Sequence, residues 1–292
     1  MHVWITKNLG ARNYWRFPWI RHKGRYSIQW KPPKPPMDVL LVKNPRLKLP
    51  FIEAPGLPSP EVYYPLEEAP GISREFTAIR SPDDALAFAN KYGLLGLKDG
   101  EDGSWEDAND WIGRANELRQ IYEVWDLLAK ADTKGLRDIV IANERGVPII
   151  RPRALKLQRP TWAAPAPRQL KPENIISLAN GFIAERYNLK MVNMASPMLL
   201  IDAKGALHAY NRPSSLLGAL WLEFGEVAAG SRKQAPCENC GTWMDVTGKR
   251  SDKRKCQTCI NRDKTARYRA KAKILPVFTM GDTVGNSTKN RG

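Results

Sequence analysis

The chain has 292 residues, of which 42% are hydrophobic, and a formal net charge of +16. This composition can fill a buried core, and the basic balance favours a polyanionic partner such as nucleic acid. No apolar run approaches the length of a membrane span and no signal-peptide core precedes the charged residues, so we expect a cytoplasmic protein without a membrane partner.

The positive charge is concentrated towards the two ends of the chain. Residues 1–50 carry 11 Lys and Arg against 1 acidic residue, residues 51–230 carry 20 against 24, and residues 231–275 carry 13 against 4. The middle therefore has the balance of an ordinary, slightly acidic globular region, with a basic segment on either side of it.

The first 30 residues alternate aromatic with basic side chains. The aromatic members are Trp4, Tyr14, Trp15, Phe17, Trp19, Tyr26 and Trp30, and the basic members are Lys7, Arg12, Arg16, Arg21, Lys23 and Arg25. One interpretation is a stacking platform with phosphate-binding cations. The other, which we favour, is a small β segment whose aromatic residues belong to a core. Residues 31–70 contain 11 of the 23 prolines, which favours extended chain and turns there.

Helical signals begin at Ser81. This residue precedes Pro82 and two acidic residues, the pattern of a capped helix N-terminus, and Gly93 predicts the end of the helix. A second amphipathic helix is predicted over 105–131. Its apolar stripe steps by three and four residues through Trp111, Ala115, Leu118, Tyr122, Trp125 and Ala129.

Residues 147–172 contain six prolines and predict a linker or a wrapping arm. After it, the sequence predicts a helix, a hairpin that turns at Asp202–Gly205, and a buried helix capped by Ser214 or Ser215 and ending near Gly230.

All four cysteines lie in one short window and form the pattern C-x2-C-x15-C-x2-C. They are Cys237, Cys240, Cys256 and Cys259. This spacing suits a tetrahedral Zn²⁺ ion, and it favours zinc over a single redox C-x-x-C motif or an iron–sulfur cluster. Four protein ligands close the site to a catalytic water, so we expect the zinc to be structural.

The residues between the two cysteine pairs predict a hairpin that turns at the stretch "TGKRSDKR". The second pair then opens a basic helix, for which Asn261 is the predicted cap. A hairpin followed by a helix that carries the last two ligands is a treble-clef-like arrangement. Some such modules are nucleases that need histidine, but the three histidines, His2, His22 and His208, all lie outside this segment.

Residues 235–273 resemble the CGNR-type zinc finger found at the C-terminus of bacterial stress-induced transcription regulators. In that family the second cysteine pair merges into a C-G-N-R tetrad and a basic helix. The tetrad corresponds here to Cys259, Ile260, Asn261 and Arg262, with isoleucine in place of the glycine. The resemblance implies DNA binding and transcription regulation in a bacterial or mobile-element protein.

The basic helix carries its cations on two opposite stripes, as expected for a helix that meets phosphates on both sides of a major groove. The alternative is a solvated helix. Because we identified no obvious base reader after the cap, we expect salt-dependent binding with limited sequence specificity. The candidate nucleic-acid-binding residues are Lys249, Arg250, Lys253, Arg254, Lys255, Arg262, Lys264, Arg267, Arg269 and Lys271.

The leading hypothesis is a zinc-finger protein that binds nucleic acid, DNA in particular, as a regulator or as a subunit of a nucleoprotein complex. The alternative is a protein-interaction module in which the finger docks on an acidic partner. A third is a metal-dependent enzyme that uses Asp83, Asp84 and the acidic cluster 99–110. We interpret these acids as helix caps and a solvated loop, and expect no enzymatic activity.

The expected fold class is α+β. We divide the chain into a basic, aromatic and Pro-rich segment with short strands over 1–70, a mainly helical central domain with short strands over 71–230, a four-cysteine zinc finger over 231–275 and a flexible tail over 276–292.

Overall fold

The structure is a computed structural model. It describes residues 18–21, 26–31, 48–54, 61–97, 105–142, 148–150, 162–163, 174–201, 207–248 and 254–274. The described residues confirm an α+β protein with a largely helical centre and short antiparallel strands. The proline-rich stretch 32–36 and the tail 276–292 lie outside them.

Eight helices fall within the described ranges. They are α1 (Pro65–Glu68), α2 (Ile72–Phe76), α3 (Pro82–Tyr92), α4 (Ala108–Ala129), α5 (Thr133–Ile139), α6 (Ile175–Met194), α7 (Leu216–Ala228) and α8 (Gln257–Ile274).

The described strands are short, and all of their pairings are antiparallel. They are β1 (Trp19–Arg21), β2 (Ser27–Lys31), β3 (Leu49–Glu53), β4 (Glu61–Tyr63), β5 (Trp105–Asp107), β6 (Val140–Ala142), β7 (Pro148–Ile150), β8 (Trp162–Ala163), β9 (Ala195–Ile201), β10 (Leu207–Pro213), β11 (Gln234–Pro236) and β12 (Trp243–Asp245). They form the sheets β1-β4, β2-β3-β5, β6-β7-β8, β10-β9 and β11-β12.

Helix α7 lies at the centre of the hydrophobic core. Its residues Leu216, Leu220 and Phe224 are completely buried, and the rings of Phe224 and Tyr122 of α4 meet edge to face at a centroid distance of 4.8 Å. Almost every residue of α7 is apolar, which is typical of a helix surrounded by other elements. Its N-cap is Ser215, whose hydroxyl accepts a hydrogen bond from the N–H of Gly218.

Helix α3 begins as predicted. The Ser81 hydroxyl accepts from the N–H of Asp84, and the Asp84 carboxylate accepts from the N–H groups of Arg80 and Ser81. These hydrogen bonds lower the pKa of Asp84 below its ordinary value, and the bond from the Arg80 N–H has the largest effect. Together they form a capping box, so two of the N–H groups that a helix start leaves unpaired are satisfied.

Helix α4 begins later than the predicted 105–131 helix. Residues Trp105–Asp107 instead form β5, which pairs with β3 in the register Phe51↔Asp107. The backbone N–H and C=O groups of these residues pair with β3 and not within a helix. The Asp107 carboxylate then caps α4 by accepting from the N–H of Asn109. The predicted apolar stripe is confirmed from Trp111 to Tyr122, all of whose members are buried.

Candidate metal centre and basic helix

The first cysteine pair lies in the turn of a hairpin formed by β11 and β12. The N–H of Cys237 donates to the carbonyl of Thr242 at 2.9 Å, and the N–H of Gly241 donates to that of Cys237 at 2.8 Å. Gly241 has φ +70°, a left-handed conformation that glycine adopts without strain. This tight turn brings Cys237 and Cys240 to the same side of the hairpin.

The position of this hairpin differs from the prediction. We expected Trp243 and its neighbours to pair across the stretch that separates the two cysteine pairs. They pair instead with Gln234–Pro236, which precedes the first pair, so the hairpin encloses that pair. Local alternation predicted the strand, but it does not identify a partner on the other side of a turn.

The second cysteine pair lies at the N-terminus of α8. Cys256 immediately precedes the helix, and its sulfur accepts a hydrogen bond from the N–H of Cys259 at 3.4 Å, as an N-cap side chain does. The predicted cap Asn261 lies instead inside the helix. Its Oδ1 atom accepts from Nε2 of Gln257 at 2.9 Å, so assigning it as the cap was wrong.

The four cysteine sulfurs lie within 4.8 Å of one another. The Sγ atoms of Cys240 and Cys256 are 3.7 Å apart, far beyond the length of about 2.0 Å that a disulfide requires. Four sulfurs at about 2.3 Å from a central ion would be separated by about 3.8 Å along each edge of a tetrahedron. The cluster therefore has the dimensions of a four-thiolate metal site.

Hydrogen bonds to the sulfurs favour thiolates at the first pair. The N–H of Cys256 donates to Cys237 Sγ at 3.3 Å and is the main reason that the pKa of Cys237 falls to about 6. A hydrogen bond from the Thr242 hydroxyl, 3.3 Å away, lowers the pKa of Cys240. The pKa of Cys259 rises to about 12, mainly because its thiol forms a hydrogen bond with Cys240 and also because it is buried. A bound cation would stabilise all four as thiolates.

Three of the candidate nucleic-acid-binding cations have partners within residues 231–274, the segment around the four cysteines that we call the metal module. Arg254 Nη1 lies 3.0 Å from Glu238 Oε1, and Lys255 Nζ lies 2.7 Å from Asp263 Oδ2. The guanidinium of Arg262 is 3.9 Å from Cys259 Sγ, which places a positive charge next to the thiolate cluster. These three residues therefore have partners close to the four cysteines.

Another three candidate cations project from α8 into solvent. Lys264, Arg267 and Arg269 are exposed, and within the described ranges they form no ion pair. Tyr268, which stands between the two arginines, is 75% exposed. The described structure does not include Lys249, Arg250 and Lys253, nor the side chain of Lys271.

A buried carboxylate joins the metal module to the helical centre. Glu223 of α7 is completely buried and accepts from the N–H of Gly71, from the N–H and hydroxyl of Ser73, and from Nε2 of Gln234. Its fifth donor is Arg232, with Nη1 3.2 Å from Glu223 Oε1. Glu223 was not predicted from the sequence, because the residues next to an acidic residue in an apolar helix do not indicate its distant partners.

Arg232 extends the same network into the hairpin. It is 5% exposed and lies 3.6 Å from the carboxylate of Glu226 and 3.5 Å from that of Asp245, which belongs to β12. It also donates to the carbonyl of Leu66. One guanidinium thus connects α7, α1 and the hairpin that carries the first cysteine pair.

Trp243 supplies the apolar part of this contact. A Cβ atom placed on Gly71 would lie 2.1 Å from the Cβ atom of Trp243, so the hairpin lies directly against the start of α2. The Arg74 guanidinium lies 5.2 Å from the Trp243 ring and 3.9 Å from the Tyr122 ring, while it is paired with Asp126. The module is therefore packed against the helical centre by its hairpin.

Two of the acids of the enzyme hypothesis, Asp84 and Glu106, have structural partners. Asp84 belongs to the capping box of α3. Glu106 accepts from the N–H groups of Leu95, Gly96 and Leu97 and from the Trp111 indole, although burial raises its pKa. Within the described part of the chain, the cysteines are the only group of three or more His, Cys, Asp or Glu residues placed to hold a metal ion. Residues 99–104 lie outside that part.

The described N-terminal aromatics divide between core and surface. The Trp19 indole donates to the carbonyl of Leu94 at 3.0 Å, and Tyr26 is buried, as the core interpretation predicts. Trp30 is 58% exposed. Arg21 lies over the Tyr63 ring and pairs with Glu61, so its charge is already compensated. Residues 1–17 and 22–25 lie outside the described ranges.

The sequence matches no protein-family description and no curated protein. None of the described helices combines the length and the apolar character that a membrane span requires.

Proposed function

We propose that this chain is a zinc-finger protein that binds nucleic acid, DNA in particular, as a regulator or as a subunit of a nucleoprotein complex. The observation that carries the proposal is the exposed cationic part of α8, which begins at a four-cysteine cluster of tetrahedral dimensions. The resemblance of residues 235–273 to the CGNR-type finger supports the same function.

Zinc is the metal that this ligand set favours. Four cysteines in two C-x2-C pairs are typical ligands of structural Zn²⁺, and four protein ligands leave no position for a catalytic water. A hairpin turn that carries one pair and a helix start that carries the other support a treble-clef assignment. Reduced thiols imply a reducing compartment, for which we propose the cytoplasm.

The phosphate-binding role falls on the distal part of α8. Because Arg254, Lys255 and Arg262 already have partners around the cluster, we assign phosphate contact first to Lys264, Arg267 and Arg269. Each Lys or Arg that neutralises a phosphate of duplex DNA contributes about 0.9 to the slope of log K against log salt concentration. The proposal therefore has a quantitative signature.

The test measures binding of the full, metal-loaded chain to random duplex DNA over a series of salt concentrations. We expect a steep slope that becomes shallower by about 1.8 when Arg267 and Arg269 are both changed to Ala. The matched control is the double change of Arg254 and Lys255 to Ala, which should leave the slope largely unchanged. Metal analysis of the purified protein should find one zinc per chain.

Absence of binding to DNA and RNA at low salt would contradict the proposal. Capture of an acidic protein through the same α8 residues, without nucleic-acid binding, would instead support the protein-interaction alternative.

A further inference from the structure

Helix α8 has the size and exposure of an element that enters a major groove. Its 18 residues span about 27 Å, and the major groove of B-DNA is about 12 Å wide, enough to admit an α-helix. Cys259 is buried and Asp263 half-buried, whereas residues 264–270 are exposed. One side of the helix is thus anchored to the cysteine cluster and the opposite side is free.

Three residues form a row on the free side. At 100° per residue, Gln257, Asn261 and Tyr268 point within about 40° of one another, and Tyr268 points about 180° away from Cys259. All three are exposed. The structure reveals this row because it places Asn261 inside the helix, where its side chain is not needed as a cap.

Cations flank this row on both sides. Arg267 and Arg269 diverge by about 100° to either side of Tyr268. A helix in the major groove meets a phosphate wall on each side and base edges at the floor of the groove. Lys264 points within about 60° of all three members of the row and lies beside them. Arginines on the flanks and hydrogen-bonding groups in the middle fit these surroundings.

The two amides are already oriented by each other. Nε2 of Gln257 donates to Oδ1 of Asn261 at 2.9 Å, which leaves the oxygen of Gln257 as an acceptor and the NH₂ of Asn261 as a donor. Adenine presents the complementary pair in the major groove, the N6 amino group as donor and N7 as acceptor. The Tyr268 ring and hydroxyl add an apolar edge and a polar tip further along the helix.

We propose that Gln257, Asn261 and Tyr268 read base edges in the major groove of duplex DNA and prefer a site that contains adenine. This proposal rests on the proposed nucleic-acid-binding function and replaces the expectation of limited sequence specificity. It separates two roles on one helix: the arginines provide affinity for any duplex, and the row between them discriminates sequence.

The experiment selects duplexes from a random pool with the full, metal-loaded chain at physiological ionic strength and sequences the bound fraction. We expect an enriched motif with an A·T position. Asn261→Ala should weaken binding to the enriched site by about 5- to 150-fold, the range of one two-bond base contact, and weaken binding to unselected duplex by a much smaller factor. Arg267→Ala should weaken both.

The control is Asn193→Ala, an exposed asparagine at the end of α6, which should leave the motif and the affinity unaltered. Circular dichroism and zinc content verify that each variant is folded. If the wild type binds unselected duplex but enriches no motif, or if Asn261→Ala keeps both the motif and the affinity, this inference is wrong while the proposed function stands. Stronger binding to the single strand of an enriched site than to its duplex also overturns it. No binding to any nucleic acid overturns the proposed function itself.

Discussion

At the scale of single residues, glycine determines how closely the metal-binding hairpin approaches the helical centre. Gly71 has φ +83°, and Trp243 occupies the space where a side chain would project. Gly230 has a similar φ of +74°, but a Cβ atom there would meet nothing within 4 Å. The two positions share the backbone requirement and differ only in the contact.

We therefore predict that Gly71→Ala lowers the free energy of unfolding by about 2–5 kcal/mol, the sum of the left-handed backbone penalty and the steric clash with Trp243. Gly230→Ala should cost about 1–2 kcal/mol, since only the backbone term applies. Urea unfolding of the two variants measures the difference. Equal destabilisation would show that the Trp243 contact is not tight.

At the scale of elements, two arginines of the module, Arg232 and Arg254, pair with glutamates in opposite surroundings. Arg232 and Glu223 are almost completely buried, with side-chain exposures of 5% and 0%. Arg254 and Glu238 are 70% and 50% exposed. Removing one partner of a buried pair leaves an uncompensated charge, whereas water solvates the partner left behind at the surface.

Arg232→Met should accordingly lower the free energy of unfolding by about 3–5 kcal/mol. Arg254→Met, in the same module, should change it by less than about 1 kcal/mol. Chemical denaturation followed by tryptophan fluorescence compares the two. A small effect of Arg232→Met would mean that Glu223 keeps sufficient compensation from its four other donors.

At the scale of the whole molecule, the metal module and the helical centre share one set of buried contacts. Glu223 is bonded to α2 and to β11, and Trp243 lies against the start of α2. Loss of the metal should loosen the hairpin and, with it, these contacts. We therefore expect the module not to unfold independently of the helical centre.

We predict that a chelator lowers the Tm of the metal-loaded chain by about 6–12 °C. The buried ion pairs that would be lost contribute about 3 kcal/mol to the free energy of unfolding. Each kcal/mol lost lowers the Tm of a chain of this size by about 2–4 °C. Near-UV circular dichroism of the buried tryptophans reports the helical centre. Cys237→Ser should show the lower Tm already, with no further change on chelation. Metal release at an unchanged Tm would contradict the coupling.

The sequence determined the features whose cause is local. The capping box of α3 depends on Ser81 and Asp84, three residues apart, and the apolar stripe of α4 depends on its helical period. The four candidate metal ligands could be identified because two C-x2-C turns each direct a pair of sulfurs to one point. The residues in each of these features are only a few positions apart in the sequence, so composition and spacing are sufficient to predict them.

Only the tertiary structure decided which surfaces meet. Glu223 and Ser73 are 150 residues apart, and neither periodicity nor spacing relates them. Strand β12 pairs with β11, and this pairing places the first two cysteines in a hairpin turn. The alternation of apolar and polar residues predicts a strand but does not identify the strand that pairs with it. The helix start at Gln257 likewise freed Asn261 from the cap and placed it in a row with Tyr268. The sequence by itself thus determined the candidate ligands and the charge of this protein. Long-range packing decided how the hairpin is held against the helical centre and which side chains of α8 project outward.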